Sequence, residues 1–145
     1  MAEIDAEPQD IPERFHDLFD ETNFATFATV MPAGTPQQTV VWIDRERRSG
    51  ADRVLVNTES GRQKHRNVQR NPLVGVSIMD PEDPYRYVSV RGRVEEVTRE
   101  GADEHADRLA QAYMGVEEYP NREEEDGDRV IVRIEPLRVT GTAQA

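Results

Sequence analysis

Six strand-like runs follow one another along this chain of 145 residues, most of them separated by fewer residues than a helical crossover needs. Parallel neighbours in a sheet require a connection of a dozen or more residues, so the pairing has to be largely antiparallel. The runs are Phe24–Val30, Gln37–Asp44, Arg53–Thr58, Leu73–Met79, Tyr87–Val97 and Arg129–Thr140. In the fifth, Val88, Val90, Gly92 and Val94 alternate with Tyr87, Ser89, Arg91 and Arg93, the period of a half-buried strand. Pro32–Gly34 and Asp80–Pro84 read as turns, and Arg45–Asp52, with Ser49-Gly50, as a charged hairpin loop.

Helical spacing is confined to three stretches. Asp10, Pro12 and Glu13 have the spacing of a capping box, opening a short helix with Phe15, Leu18 and Phe19 on its apolar face and an end near Glu21. Arg62–Arg70 is polar and helix-compatible, and is stopped by Asn71-Pro72. Glu100–Met114 carries Ala106, Leu109, Ala110 and Tyr113 on one face. The expected fold is therefore mainly β (α+β): a six-stranded antiparallel sheet closing into a small barrel, with a few peripheral helices. Residues 1–10 read as a flexible acidic N-terminal tail and residues 11–142 as a single domain.

Composition narrows the chemistry. The absence of cysteine excludes a disulfide framework, a thiol nucleophile and thiolate metal sites. No run approaches the ~20 apolar residues of a membrane span and no signal segment opens the chain, so a cytoplasmic protein is expected. A net charge of −11 disfavours nucleic acid as a partner. Of the 18 basic residues, only Lys64 is lysine. An acidic, lysine-poor surface suits a salt-rich cytoplasm, and a GC-rich coding bias produces the same skew.

The densest functional signal is Val56-Asn57-Thr58-Glu59-Ser60-Gly61-Arg62-Gln63-Lys64-His65-Arg66-Asn67. It places a strand end, a glycine turn and a helix start in succession, which presents free backbone N–H groups and the positive end of the helix dipole to an anion. Arg62, Lys64 and Arg66 add a planar fork and a point charge suited to phosphate. The same cluster also fits a solvated basic helix face bridging to the many carboxylates. His16, His65 and His105 have no metal-ligand spacing, and no nucleophile or general-base constellation stands out. An enzyme built on this chain needs a cofactor to supply the reactivity.

The order of Gln38-Thr39-Val40-Val41-Trp42, Val54-Leu55-Val56-Asn57-Thr58, Gly61-Arg62-Gln63-Lys64, Asn71-Pro72 and Val88-Ser89-Val90-Arg91-Gly92-Arg93-Val94-Glu95 resembles the pyridoxamine 5′-phosphate oxidase-like flavin and deazaflavin split-barrel superfamily. Lys64-His65-Arg66-Asn67 and Tyr113-Met114-Gly115…Glu118-Tyr119-Pro120 resemble its branch that binds the deazaflavin F420. The resemblance implies a six-stranded split barrel, homodimeric, with two cofactor sites at the interface. By the same resemblance Gln38, Thr39, Val40, Val41 and Trp42 lie along the ring. Arg62 and Lys64 then hold the phosphate, with Asn57, Thr58 and Gly61 beside it, and the positive charge of Arg66 and Arg70 further along favours the longer anionic tail of F420 over FMN. The oxidase proper has arginine where Gln38 stands and lysine where Ile43 stands, so pyridoxamine phosphate oxidation is not expected. The expected function is an F420-dependent oxidoreductase passing a hydride between the deazaflavin and an unsaturated small-molecule substrate. The alternatives are an FMN-dependent oxidoreductase of the same fold and a non-catalytic flavin- or haem-binding protein.

Overall fold

The computed structural model describes residues 3–142. The strands are β1 (Phe24–Val30), β2 (Pro36–Trp42), β3 (Asp44–Arg48), β4 (Ala51–Glu59), β5 (Leu73–Met79), β6 (Tyr87–Thr98) and β7 (Arg129–Thr142). The helices are α1 (His16–Asp20), α2 (Gln63–Arg70) and α3 (Ala102–Met114). All seven strands form one sheet in the order β2-β1-β5-β6-β7-β4-β3, antiparallel at every step.

That count corrects the six strands expected. The charged stretch after Ile43 is not a loop but β3, paired residue for residue with the start of β4. Period-two hydrophobicity is absent there because the side chains are held by charge. Arg45 bonds Asp20 at 2.7 Å, Glu46 bonds Arg133 at 2.6 Å, Arg47 bonds Asp52 at 3.1 Å and Arg48 bonds Glu96 at 3.1 Å. A charged strand also suits a sheet edge, where it discourages pairing with another chain. Ser49 and Gly50 both take positive φ (53° and 80°), the geometry of a two-residue hairpin turn matched to strand twist.

β2 and β3 occupy opposite ends of the sheet order, yet only Ile43 separates them in the chain. The sheet must therefore curl until its two edges meet at one residue. It does not close into the barrel expected from the sequence, because β2 pairs with β1 and β3 pairs with β4, and among the described residues no ladder joins β2 to β4. Inside the curl lies the main core, including Phe15, Phe19, Phe27, Ile43, Val56 and Ile134, each 2% exposed or less. β6 and β7 bend through register shifts at Arg91/Gly92 and Val94/Glu96. A Cβ at Gly92 would lie 2.6 Å from Ile134 Cγ2 and 2.8 Å from the Glu135 carbonyl oxygen, so only glycine fits.

The start of the chain also departs from expectation. Asp10 does not cap a helix: its carboxylate accepts the Asp52 backbone N–H at 3.0 Å, and a short 3₁₀ turn, Glu13–Phe15, precedes α1. Within the expected tail, residues 1–2 lie outside the described residues. Gln9 is tied to β7: its N–H donates to the Pro136 carbonyl at 2.8 Å, and its side chain bonds Leu137 and Val139. Among the described residues no helix is long and apolar enough to cross a membrane.

Candidate functional site

The largest consequence of the unclosed sheet is a cleft of about 390 Å³ where β2 and β4 part. Thr39–Trp42 of β2 form one wall, and Asn57 and Thr58 at the end of β4 form the other. Arg62 and Lys64 enter from the start of α2, and Tyr119, Asn121 and Arg129 from the segment leading into β7. Phe24 and Met114 complete the apolar rim.

The apolar end is rigid. Trp42 stacks on Tyr113 with centroids 5.2 Å apart and rings 14° from parallel. Tyr113 cannot turn away, since its hydroxyl donates to the Asn23 carbonyl at 2.6 Å and accepts the Ile43 N–H at 3.1 Å. In contrast to these braced rings, Phe24, Val40 and Met114 stand 60%, 66% and 50% exposed. Large apolar side chains grouped at a cleft mouth point to a ligand or a partner surface.

The polar end is short of anions. Lys64 is 8% exposed, and among the described residues it has no hydrogen bond or ion pair. Burial pushes its ammonium below the usual lysine range, and the neighbouring Arg62 and Arg129 push the same way. Thr58 Oγ1 is buried without a hydrogen-bond partner. Buried polar groups in native proteins are nearly always satisfied, so the unmet Thr58 hydroxyl stands out beside the unpaired lysine. Arg62 is half-exposed and rests on Glu59 at 3.1 Å and Glu125 at 3.4 Å. Arg129 is buried, bonds Glu125 at 2.8 Å, and lies over the Tyr119 ring at 4.5 Å.

Asn57 connects this end to the bend in the sheet. Its Oδ1 accepts from Arg129 Nε at 2.9 Å, so its Nδ2 is the group that donates to the Ala102 carbonyl at 2.9 Å and to His105 Nδ1 at 3.0 Å. His105 Nδ1 is therefore an acceptor, and Nε2 carries the proton donated to Asp44 at 2.9 Å. The chain Arg129–Asn57–His105–Asp44 holds the arginine in register with β3.

A family model for pyridoxamine 5′-phosphate oxidase matches residues 11–143. The chain belongs to this family. Its fold is an oxidoreductase fold, shared with an F420 reductase that is 32% identical, with a TM-score of 0.77, over 90% of this chain and 98% of that one. A conserved hypothetical protein from Mycobacterium tuberculosis is 24% identical (TM-score 0.69, 94% of this chain and 86% of that one). HupZ from Group A Streptococcus is 21% identical (TM-score 0.63, 92% and 94%). These two share the fold. No curated protein matches the chain in sequence.

Within this pyridoxamine 5′-phosphate oxidase-family cleft the structure brings together Thr39, Val40, Val41, Trp42, Asn57, Thr58, Arg62 and Lys64 from the sequence-derived set. Gln38, Gly61 and Arg66 do not line it. Gln38 is exposed on the edge strand β2, and Gly61 (φ 93°) donates its N–H to His65 Nδ1 at 2.9 Å. Arg66 is exposed and turned back onto the Gly61 carbonyl at 2.8 Å and Gln63 at 2.6 Å. Sequence reasoning missed Phe24, Met114, Tyr119, Asn121 and Arg129. Of these, Met114 and Tyr119 lie in a stretch whose likeness to the F420-binding branch was a signal. Among the described residues no cluster of three or more His, Asp or Glu is placed to hold a metal ion.

Proposed function

We propose that this chain is an F420-dependent oxidoreductase, passing a hydride between the deazaflavin and an unsaturated small molecule, and that it works as a homodimer with a cofactor site at each side of the interface. The observation that carries this reading is Lys64, a mostly buried lysine lining the cleft beside Arg62 and Arg129 that, unlike those arginines, has no carboxylate partner among the described residues. The orphaned Thr58 hydroxyl fits the same conclusion, because a phosphate oxygen would satisfy it. The 32% identical F420 reductase supports the deazaflavin over FMN.

Lys64, Thr58 and Arg62 would hold the phosphate, and the Thr39–Trp42 wall would lie along the ring. Arg66, one helical turn past Arg62, would meet anionic groups beyond the phosphate. The bound cofactor supplies the hydride chemistry. The protein's part is orientation: Trp42 is locked by Tyr113, so the ring wall keeps its position without rearrangement. Phe24, Val40 and Met114 would keep water from the reacting face once a second copy of the chain covers them.

Titration of the purified protein with F420 and with FMN tests the reading. The parent is expected to bind F420 saturably and more tightly than FMN. Lys64→Ala should weaken F420 by about 10- to 150-fold, the loss of one charge-assisted contact of roughly 1.5–3 kcal/mol, with the unfolding midpoint unchanged. Light scattering on the same sample should return the mass of a dimer. Equal F420 affinity in parent and variant would remove the phosphate assignment, and tighter binding of FMN would replace the cofactor.

A further inference from the structure

Three cationic side chains line the cleft, and no acidic one does. The charge a ligand meets is nevertheless much lower, because two carboxylates stand directly behind the cations. Glu59 bonds Arg62 at 3.1 Å. Glu125 is 6% exposed and bonds both arginines, Arg129 at 2.8 Å and Arg62 at 3.4 Å, while the Tyr119 hydroxyl donates to it at 3.1 Å. All three of those contacts fall on Glu125 Oε2, and Oε1 is buried with no partner at all. The carboxylate is thus fully desolvated on one oxygen, and its charge is felt across the cleft wall. These two carboxylates pair Arg62 and Arg129 directly, which leaves Lys64 the one cation of the three with no carboxylate in contact.

We propose that Glu125 is a specificity-determining residue that holds the polar end of the cleft at a single excess positive charge, so that it accepts a phosphodiester in preference to a phosphomonoester. A monoester carries about −1.5 to −2 at pH 7 because its second proton leaves near pH 6. A diester carries one charge at any pH near neutral. Lys64 alone matches the diester, and a monoester leaves part of a charge unpaired in a site where Lys64 is already desolvated. The proposal rests on the flavin or deazaflavin reading above and deepens it, because FMN ends in a monoester whereas the phosphate of F420 is a diester. It locates the discrimination in a residue that does not line the cleft and that binds through the arginines.

The test compares FMN with its phosphate methyl ester, which differ by one negative charge on the same ring system. Both are titrated by flavin fluorescence into the full-length parent and into Glu125→Gln, which keeps the shape and a hydrogen-bond acceptor. The parent is expected to bind the methyl ester more tightly. Glu125→Gln should gain about tenfold for FMN and less than about threefold for the ester, the scale of one added charge acting on a second one at close range. An unchanged FMN-to-ester ratio, a parent that prefers FMN, or equal weakening of both ligands overturns the proposal and leaves the cofactor reading standing. A parent that binds neither flavin nor F420 removes that reading and this proposal together. Should Glu125→Gln fail to fold with Arg129 unpaired, Glu59→Gln, on the more open side of Arg62, should move the ratio in the same direction by a smaller factor. A Glu59→Gln ratio equal to the parent's would then overturn the proposal.

Discussion

Asp52 and Lys64 are both charged side chains buried in this small protein, and their surroundings are opposite. Asp52, 1% exposed on β4, accepts the Ile11 N–H at 2.9 Å and faces Arg47 at 3.1 Å, Arg45 at 3.5 Å and the His16 ring at 3.9 Å. Lys64, 8% exposed at the start of α2, faces two arginines and no carboxylate of its own. Burying a charge is tolerated when partners are supplied. At Asp52 the chain supplies them itself, tying the N-terminal segment to the β3–β4 hairpin. At Lys64 the chain supplies no such partner, which is what the proposed cofactor phosphate would provide. The contrast separates a charge that the fold itself satisfies from one that it leaves without a partner.

The largest expected effect breaks the Asp52 side of this comparison. Asp52→Ala leaves the buried Ile11 N–H without its acceptor and takes a carboxylate from Arg47 and Arg45, and urea unfolding should show a loss of about 3 kcal/mol, as for other broken buried pairs. Affinity for the cofactor should be unchanged, and a variant as stable as the parent would show that the hub contributes nothing. Thr58→Val sharpens the Lys64 side. Replacing an unsatisfied buried hydroxyl by a methyl of the same shape should raise stability by up to about 1 kcal/mol while weakening cofactor binding several-fold. A loss of stability would mean that the hydroxyl already has a partner.

The smallest effect concerns His65, which stands between the two cases because it is satisfied in only one charge state. Its Nδ1 accepts the Gly61 N–H at 2.9 Å, and burial holds its pKa below the ordinary histidine value of 6.5. The unfolded chain therefore takes up the proton first as pH falls, so this stability is complete above about pH 6.5 and is lost below it. Urea midpoints measured from pH 7.5 to pH 5 should decline by no more than about 1 kcal/mol on this account, and His65→Asn should flatten that part of the curve. An identical slope in the variant would assign the pH dependence elsewhere.

Much of the sheet was legible because its core strands alternate cleanly. β1 and β5 have the bounds their hydrophobic periods predict, and β6 and β7 differ by one or two residues at an end. β3 was not legible because its pairing depends on Asp20, Asp52, Glu96 and Arg133, distant residues that no local period reveals. The same limit applied at Asp10, whose spacing fits a helix cap while its carboxylate serves Asp52. In the cleft, the strand-to-helix turn exposed Thr58, Arg62 and Lys64 through charge against an acidic background. Arg129 carried no such mark, since one arginine opening a strand belongs to no motif. Only the fold brings it beside Asn57 and Glu125.

The single residue between β2 and β3 has a consequence in parity. Side chains alternate along a strand, so Val41 and Ile43 point into the core while Arg45 and Arg47 reach Asp52, and Glu46 and Arg48 reach Arg133 and Glu96. A one-residue insertion at the bend would leave the β3–β4 charge pairs in place, because the Ser49-Gly50 turn sets that register, and would put β2 out of phase with β3, so that Val41 and Ile43 could not both face the core. Homologues carrying this cleft are therefore expected to vary the length of nearly any surface loop before they vary the spacing between Trp42 and Asp44. An even count of inserted residues is the only change there that keeps both faces in phase.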